Sequence, residues 1–138
     1  MKTLYTAVAT AHGGREGHVR SDDGALDLDL RMPKGLGGPG GAGSNPEQLF
    51  AAGYAACFES ALRVVARMQK KAVPDARITA HVSLSATDAG KYLLGVELHG
   101  HIDGLSAEET SSLMKAAHEV CPYSNATRGN IDVKLVAE

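Results

Sequence analysis

Cys57 and Cys121 are the residues of this 138-residue chain best suited to chemistry. Three uses compete for them. A metal site needs three or four ligands, usually with close pairs. Neither cysteine has another cysteine or a histidine within four residues, except His118, three positions before Cys121. Two unrelated buried thiols are the plain alternative. The third use is a reactive pair, in which a thiolate attacks an electrophile such as a peroxide oxygen and the second thiol traps the resulting sulfenic acid as a disulfide. That chemistry requires two Cα atoms within about 4.4–6.8 Å. It also requires help at Cys57. The cysteine sits mid-helix on an apolar face, where burial raises a thiol pKa, and three turns from the helix N-terminus, where the dipole has decayed. A cation must come from elsewhere in the chain. Arg15, in the glycine-flanked segment Gly13-Gly14-Arg15-Glu16-Gly17, is a candidate, and Glu47 in the first turn of the cysteine helix is available to hold it.

Other constellations are weaker. His12, His18, His81, His99, His101 and His118 are scattered; the three in the middle fall on one sheet face and read as solvated, or as an adventitious metal site. No G-x-S-x-G elbow marks a serine nucleophile, and no carboxylate pair stands out. Residues 35–43 hold six glycines. They read as a flexible linker or as a phosphate loop, but no Gly-Lys-Ser/Thr follows.

The elements that carry these residues follow from periodicity. Leu4–Ala11, His18–Ser21 and the alternating run Leu26, Leu28, Leu30, Met32 read as strands, with Asp22-Asp23-Gly24 a turn. Asn45 fits an N-cap, Pro46 the first helical position and Gln48 a capping-box partner. The helix runs to about Lys71. Leu49, Gly53, Ala56, Cys57, Ser60, Ala61, Val64 and Met68 lie on its apolar face, with Glu59, Arg63 and Arg67 on another. Ile78–Thr87 and Leu94–Ile102 form a hairpin whose even register places His81 near His99. Ser106 caps a second helix with stripe Leu113, Met114, Ala117, Val120. Tyr123–Arg128 adds a helical turn, and Ile131–Leu135 a last strand. The order β-β-β-α-β-β-α-β indicates an α+β fold, mainly antiparallel sheets around central helices.

Composition narrows the function further. With 43% hydrophobic and 22% charged residues and net charge −2, the chain fits a single domain over 1–138. It has no basic field for nucleic acid or an anionic membrane. No run of 18 apolar residues is present, and the N-terminus lacks a signal-peptide pattern, so a cytoplasmic setting is expected. Aromatic residues are scarce, which makes for a thin core and favours a dimer.

Two long segments resemble a known family. Asn45-Pro46-Glu47-Gln48-Leu49-Phe50-Ala51-Ala52-Gly53-Tyr54-Ala55-Ala56-Cys57-Phe58 resembles the active-site helix of the organic hydroperoxide resistance (Ohr) proteins of the OsmC/Ohr family. Val120-Cys121-Pro122-Tyr123-Ser124-Asn125-Ala126-Thr127-Arg128-Gly129-Asn130-Ile131 resembles their second cysteine motif. The Arg15 turn and the glycine loop are similar too, so the likeness runs nearly end to end. It implies an intertwined homodimer with Cys57 as peroxidatic cysteine, Cys121 as resolving cysteine, Arg15 as the thiolate's partner and Glu47 as the acid holding Arg15. It further implies reduction of alkyl and fatty-acid hydroperoxides, recycling by a lipoyl-type dithiol, and no metal, haem or flavin cofactor. Leu36, Phe50, Phe58, Met68 and Tyr123 are pocket candidates. Glu59 departs from the pattern, a charge where an apolar or small residue is expected. The competing readings are an OsmC-subtype peroxidase and a non-catalytic redox-sensing or small-ligand-binding dimer on the same fold.

Overall fold

The computed structural model describes all 138 residues. They form two compact units, 1–49 and 50–138, and the architecture is α+β with two three-stranded sheets and three α-helices.

The first unit holds β1 (Ala9–His12), β2 (His18–Ser21) and β3 (Asp27–Asp29) in an antiparallel sheet of that order. The first strand is shorter than the Leu4–Ala11 run read from the sequence. Its ladder starts at Ala9↔Ser21, with one more bond from the Asp22 N–H to the Val8 carbonyl. β2 then turns at Asp22-Asp23-Gly24, which leaves residues 4–7 without a ladder partner in this chain, and Leu4 and Tyr5 are exposed. β3 is likewise cut to three residues, because β2 begins at His18; Leu30 donates to the Gly17 carbonyl just before it and forms a parallel bridge with Ser44. Leu30 is the one buried apolar residue of this unit.

Helix α1 (Pro46–Met68) begins as its sequence signals require. The Gln48 N–H donates to Asn45 Oδ1 at 2.8 Å, which satisfies one free N–H of the helix start, and Ser44 Oγ donates to Gln48 Oε1 at 3.2 Å. Its end comes at Met68, three residues earlier than read, where Lys70 turns the chain at φ 57°. Composition and length alone would let α1 cross a bilayer. Its large apolar side chains instead join the core of the second unit.

That core is sealed by Tyr54, Phe58, Leu62 and Val65 of α1, by Val96, Leu98 and Ile102 of β5, and by Leu113, Met114 and Ala117 of α2. The buried stripe of α1 is therefore turned by about one residue from the one inferred from periodicity: Ala56, Ser60, Val64 and Met68 are exposed, and Cys57 is half-buried. Both stripes repeat at helical spacing. The bulk of Tyr54 and Phe58 decides between them, since a large aromatic gains more from burial than an alanine does.

β4 (Ala76–Ala86) and β5 (Tyr92–Ile102) pair antiparallel, with Ile78↔Gly100, Val82↔Val96 and Leu84↔Leu94 on one face. The opposite face brings the His81 and His99 rings to 4.5 Å, as the register predicts. β6 (Val133–Ala137) pairs with β5 in parallel. The crossover between them carries α2 (Ala107–Val120) and α3 (Pro122–Thr127). Ser106 caps α2, accepting from the Glu109 N–H. Val120 is exposed rather than part of the stripe, and Thr110 takes its place in the core.

Phe58 has no exposed surface. Replacement by alanine is expected to cost about 3–5 kcal/mol, the range for emptying an aromatic site in a core. Denaturant unfolding with an unchanged m-value checks this.

Candidate active site

The second unit brings the two cysteines together. Cys57 lies in the middle of α1. Cys121 is fully buried at the junction where α2 ends and α3 starts. Both are free thiols, and the Cys121 thiol and the Tyr123 backbone N–H lie close enough to the Cys57 sulfur to shift its pKa. Pro122 makes this junction possible. It cannot continue α2, and its fixed φ suits the first position of a new helix. The chain therefore turns at Cys121 and presents the next N–H groups unpaired by α2.

The environment of Cys57 resists ionisation. Burial pushes its pKa above the ordinary thiol value, the Tyr123 N–H opposes the rise, and the nearby Cys121 thiol adds to it. One backbone donor does not outweigh desolvation, so the thiolate needs further positive charge.

Tyr123 is held by an aromatic cluster. Its ring centroid lies 6.0 Å from that of Phe50 and 5.5 Å from that of Tyr54. Phe50, Tyr54 and Phe58 follow one another at one-turn spacing along α1, with centroids 6.0 and 6.5 Å apart. Gly53 supplies the seat. A Cβ there would come within 2.6 Å of the Tyr123 hydroxyl and 3.1 Å of the ring carbon bearing it. Beside this ring is a mostly apolar cavity of about 580 Å³, lined among others by Phe50, Tyr92, Leu93, Leu94, Tyr123 and Ile131. Of the pocket candidates read from the sequence, Phe50 and Tyr123 line it. Phe58 does not, because it is sealed in the core. Met68 is exposed at the far end of α1, and Leu36 belongs to the first unit, in a short 3-10 turn. Alternation starts β5 at Leu94 and so leaves Tyr92 and Leu93 in the turn. The hairpin in fact continues to Ala86↔Tyr92.

In the first unit, Arg15 and Glu47 form a fork-to-fork pair. Arg15 Nη1 donates to Glu47 Oε2 at 2.8 Å and Nη2 to Oε1 at 2.7 Å. The arginine side chain is 31% exposed and the carboxylate 16%. Each raises the charge preference of the other. Hydrogen bonding to Glu47 holds Arg15 above its ordinary pKa, and the same bonds hold Glu47 below the usual carboxylate range. The turn that carries Arg15 depends on glycine. Gly13 and Gly14 take positive φ, and a Cβ on Gly17 would fall 1.9 Å from the His12 carbonyl oxygen. Arg15 thus projects from a tight, glycine-built turn rather than from a floppy loop.

The histidines of the β4–β5 face sit among Glu97, Glu138 and Asp103: His99 contacts Glu97 at 3.0 Å and Glu138 at 3.1 Å, and His101 contacts Asp103 at 3.0 Å. No group of three metal-ligating side chains is assembled there or elsewhere. Glu59 pairs with Arg63 one turn on.

A family model described as OsmC-like protein matches residues 38–136. The chain belongs to the OsmC/Ohr family. Among its relatives, the organic hydroperoxide resistance protein of Xanthomonas axonopodis pv. citri is 53% identical over 97% of this chain and 94% of its own. The OhrB protein of Bacillus subtilis is 52% identical over 96% of each. Among solved structures, an organic hydroperoxide resistance protein from Legionella pneumophila superposes with TM-score 0.91 at 63% identity, covering 97% of both chains. The crystal structure of Bacillus subtilis OhrB gives 0.89 at 50%, covering 99% of this chain and 100% of that one. Similarity to this branch of the OsmC/Ohr family therefore spans essentially the whole chain, and its fold is the one found here.

Glu47 tests the ion pair. Because its pKa is held down in the folded state, its contribution is complete above the unfolded carboxylate range near pH 4.3 and is lost as pH falls through the lowered folded value. Glu47→Gln is expected to lower stability at neutral pH by about 1–2 kcal/mol, on the scale of hydrogen bonds to charged groups. The difference from the parent should close in acid. Denaturation midpoints across pH check it, and a pH-independent difference would contradict an ionised pair.

Proposed function

We propose that this protein is a cysteine-based peroxidase that reduces organic hydroperoxides, in keeping with the names of its relatives. The observation that carries the reading is the proximity of the half-buried Cys57 thiol to the buried Cys121 thiol, with an apolar cavity against the ring of Tyr123, whose backbone N–H faces the Cys57 sulfur. A lone structural thiol has no use for such a neighbour.

The Cys57 thiolate attacks the distal oxygen of R–O–O–H. The O–O bond breaks, an S–O bond forms, and the alkoxide leaves as R–OH after taking a proton. Cys57 is now a sulfenic acid. The Cys121 sulfur attacks the Cys57 sulfur, hydroxide departs with the Cys121 proton as water, and a Cys57–Cys121 disulfide closes. A dithiol of lipoyl type on a partner protein reopens it by thiol–disulfide exchange. Arg15, oriented by Glu47, supplies the positive charge that burial makes necessary at Cys57, and it stabilises charge on the departing oxygen. The cavity beside Tyr123 takes the alkyl or acyl chain, with Phe50 and Tyr123 in its wall, which favours organic peroxides over hydrogen peroxide. The working unit is a cytoplasmic homodimer of single-domain chains. The exposed Val64 and Met68, one turn apart on α1, support an apolar surface to be covered.

Reduced protein mixed with one equivalent of cumene hydroperoxide is expected to lose two free thiols and two hydrogens in mass within seconds, and more slowly with hydrogen peroxide. Cys121→Ser should stop at a Cys57 bearing one extra oxygen. Retention of both thiols under both oxidants would overturn the reading. Arg15→Ala is expected to slow peroxide attack by about 100-fold or more, the scale of a lost preorganised donor, with the circular dichroism spectrum unchanged. Normal peroxide kinetics in that variant would remove Arg15 from the mechanism.

A further inference from the structure

Behind the two thiols runs a chain of side-chain hydrogen bonds that the reaction scheme above does not use. His118 Nδ1 lies 2.8 Å from Ser124 Oγ. Ser124 Oγ lies 2.9 Å from the Tyr54 hydroxyl, which lies 3.1 Å from Thr127 Oγ1. Thr127 Oγ1 lies 3.2 Å from the Ser124 carbonyl oxygen. Tyr54, Ser124 and Thr127 are buried, and His118 is half-buried. The chain joins three helices: Tyr54 is one turn before Cys57 on α1, His118 is one turn before Cys121 on α2, and Ser124 and Thr127 follow Cys121 on α3.

Proton counting gives this chain a direction. A carbonyl oxygen only accepts, so Thr127 spends its one hydroxyl proton on the Ser124 carbonyl. The Tyr54–Thr127 contact then needs the tyrosine proton, and the Ser124–Tyr54 contact needs the serine proton. Ser124 Oγ is left able only to accept from His118, so His118 must carry hydrogen on Nδ1. All four contacts are made together in this order and in no other. Burial and the nearby Arg128 push the His118 pKa below its ordinary value, which favours a neutral ring.

We propose that His118, as the Nδ1–H tautomer, is the terminal donor of a one-way hydrogen-bond chain that locks Tyr54 to Ser124 and Thr127 and thereby fixes the Cys121 segment against the Cys57 helix. His118 is a positioning residue for disulfide closure. It touches no reacting atom and acts through Ser124 and Tyr54. Its catalytic consequence rests on the two-cysteine reading above; the tautomer itself does not.

Two measurements test this. Nitrogen-15 spectra of histidine-labelled protein at neutral pH should show His118 with hydrogen on Nδ1 and a bare Nε2. A bare Nδ1 overturns the proposal, whatever the enzyme does. Closure of the Cys57–Cys121 disulfide is then timed with a diazenedicarboxamide oxidant, which takes up both thiol hydrogens and needs no peroxidase activity. His118→Ala is expected to slow closure at least about fivefold, a modest share of what misplaced reacting groups can lose, while peroxide attack on Cys57 stays within about twofold of the parent by the same reasoning. With limiting peroxide, that variant should therefore show more Cys57 carried on to sulfinic acid. His118→Asn, whose amide N–H can replace the ring donor, should restore closure. Equal slowing of both steps, or no rescue by asparagine, overturns the positioning role. A parent protein that closes its disulfide with the azo oxidant but ignores peroxides refutes the peroxidase reading and leaves the lock intact.

Discussion

The closeness of Cys57 to Cys121 is the constraint around which the second unit is arranged. Two thiols from distant parts of the sequence meet only if α1 and the α2–α3 junction are both fixed. Each side of that meeting has its own anchorage. The large side chains of α1 at Tyr54, Phe58, Leu62 and Val65 sink into the core and turn Cys57 to the edge of it, half-buried. Pro122 ends one helix and begins the next, so Cys121 sits at a corner whose position is set by two helix axes at once. Tyr123 completes the corner with its ring on Gly53 and its N–H toward the Cys57 sulfur.

The same constraint creates an electrostatic difficulty. Placing a sulfur where it can meet a buried partner also removes the water that would solvate a thiolate. The fold answers with donors rather than with solvent. One is the Tyr123 N–H. Arg15 has its own charge kept in place by a bidentate carboxylate and by a turn in which Gly17 admits no side chain. Rigid presentation of a charge costs less at the moment of reaction than recruiting it from water.

Much of this was legible in the residues. Asn45 and Ser106 marked helix starts because capping chemistry is local. The hairpin register followed from alternation, and with it the proximity of His81 to His99. A buried thiol's lack of a cation points to Arg15 with Glu47 as its holder, and the Arg15–Glu47 bonds are present. What escaped was decided by tertiary competition. Two helical stripes coexist on α1, and only the packing of Tyr54 and Phe58 against β5 and α2 selects between them. The full length of Leu4–Ala11 as a strand failed because β2 ends first. Met68 and Phe58 looked apolar enough for a pocket, yet one ends in solvent and the other in the core. The His118–Ser124–Tyr54–Thr127 chain left no trace in spacing, since its members come from three helices.

The parallel pairing of β6 with β5 has a consequence for how the molecule is made. Parallel neighbours need a crossover, and here that crossover is the stretch bearing Cys121. The hairpin and α1 are complete in the nascent chain well before the final strand is available to close the sheet. Cys57 therefore emerges early and spends the remainder of synthesis without the thiol that later guards it. The two thiols are separated in the chain by the whole hairpin and α2, so their meeting is a non-local contact of the kind that forms slowly.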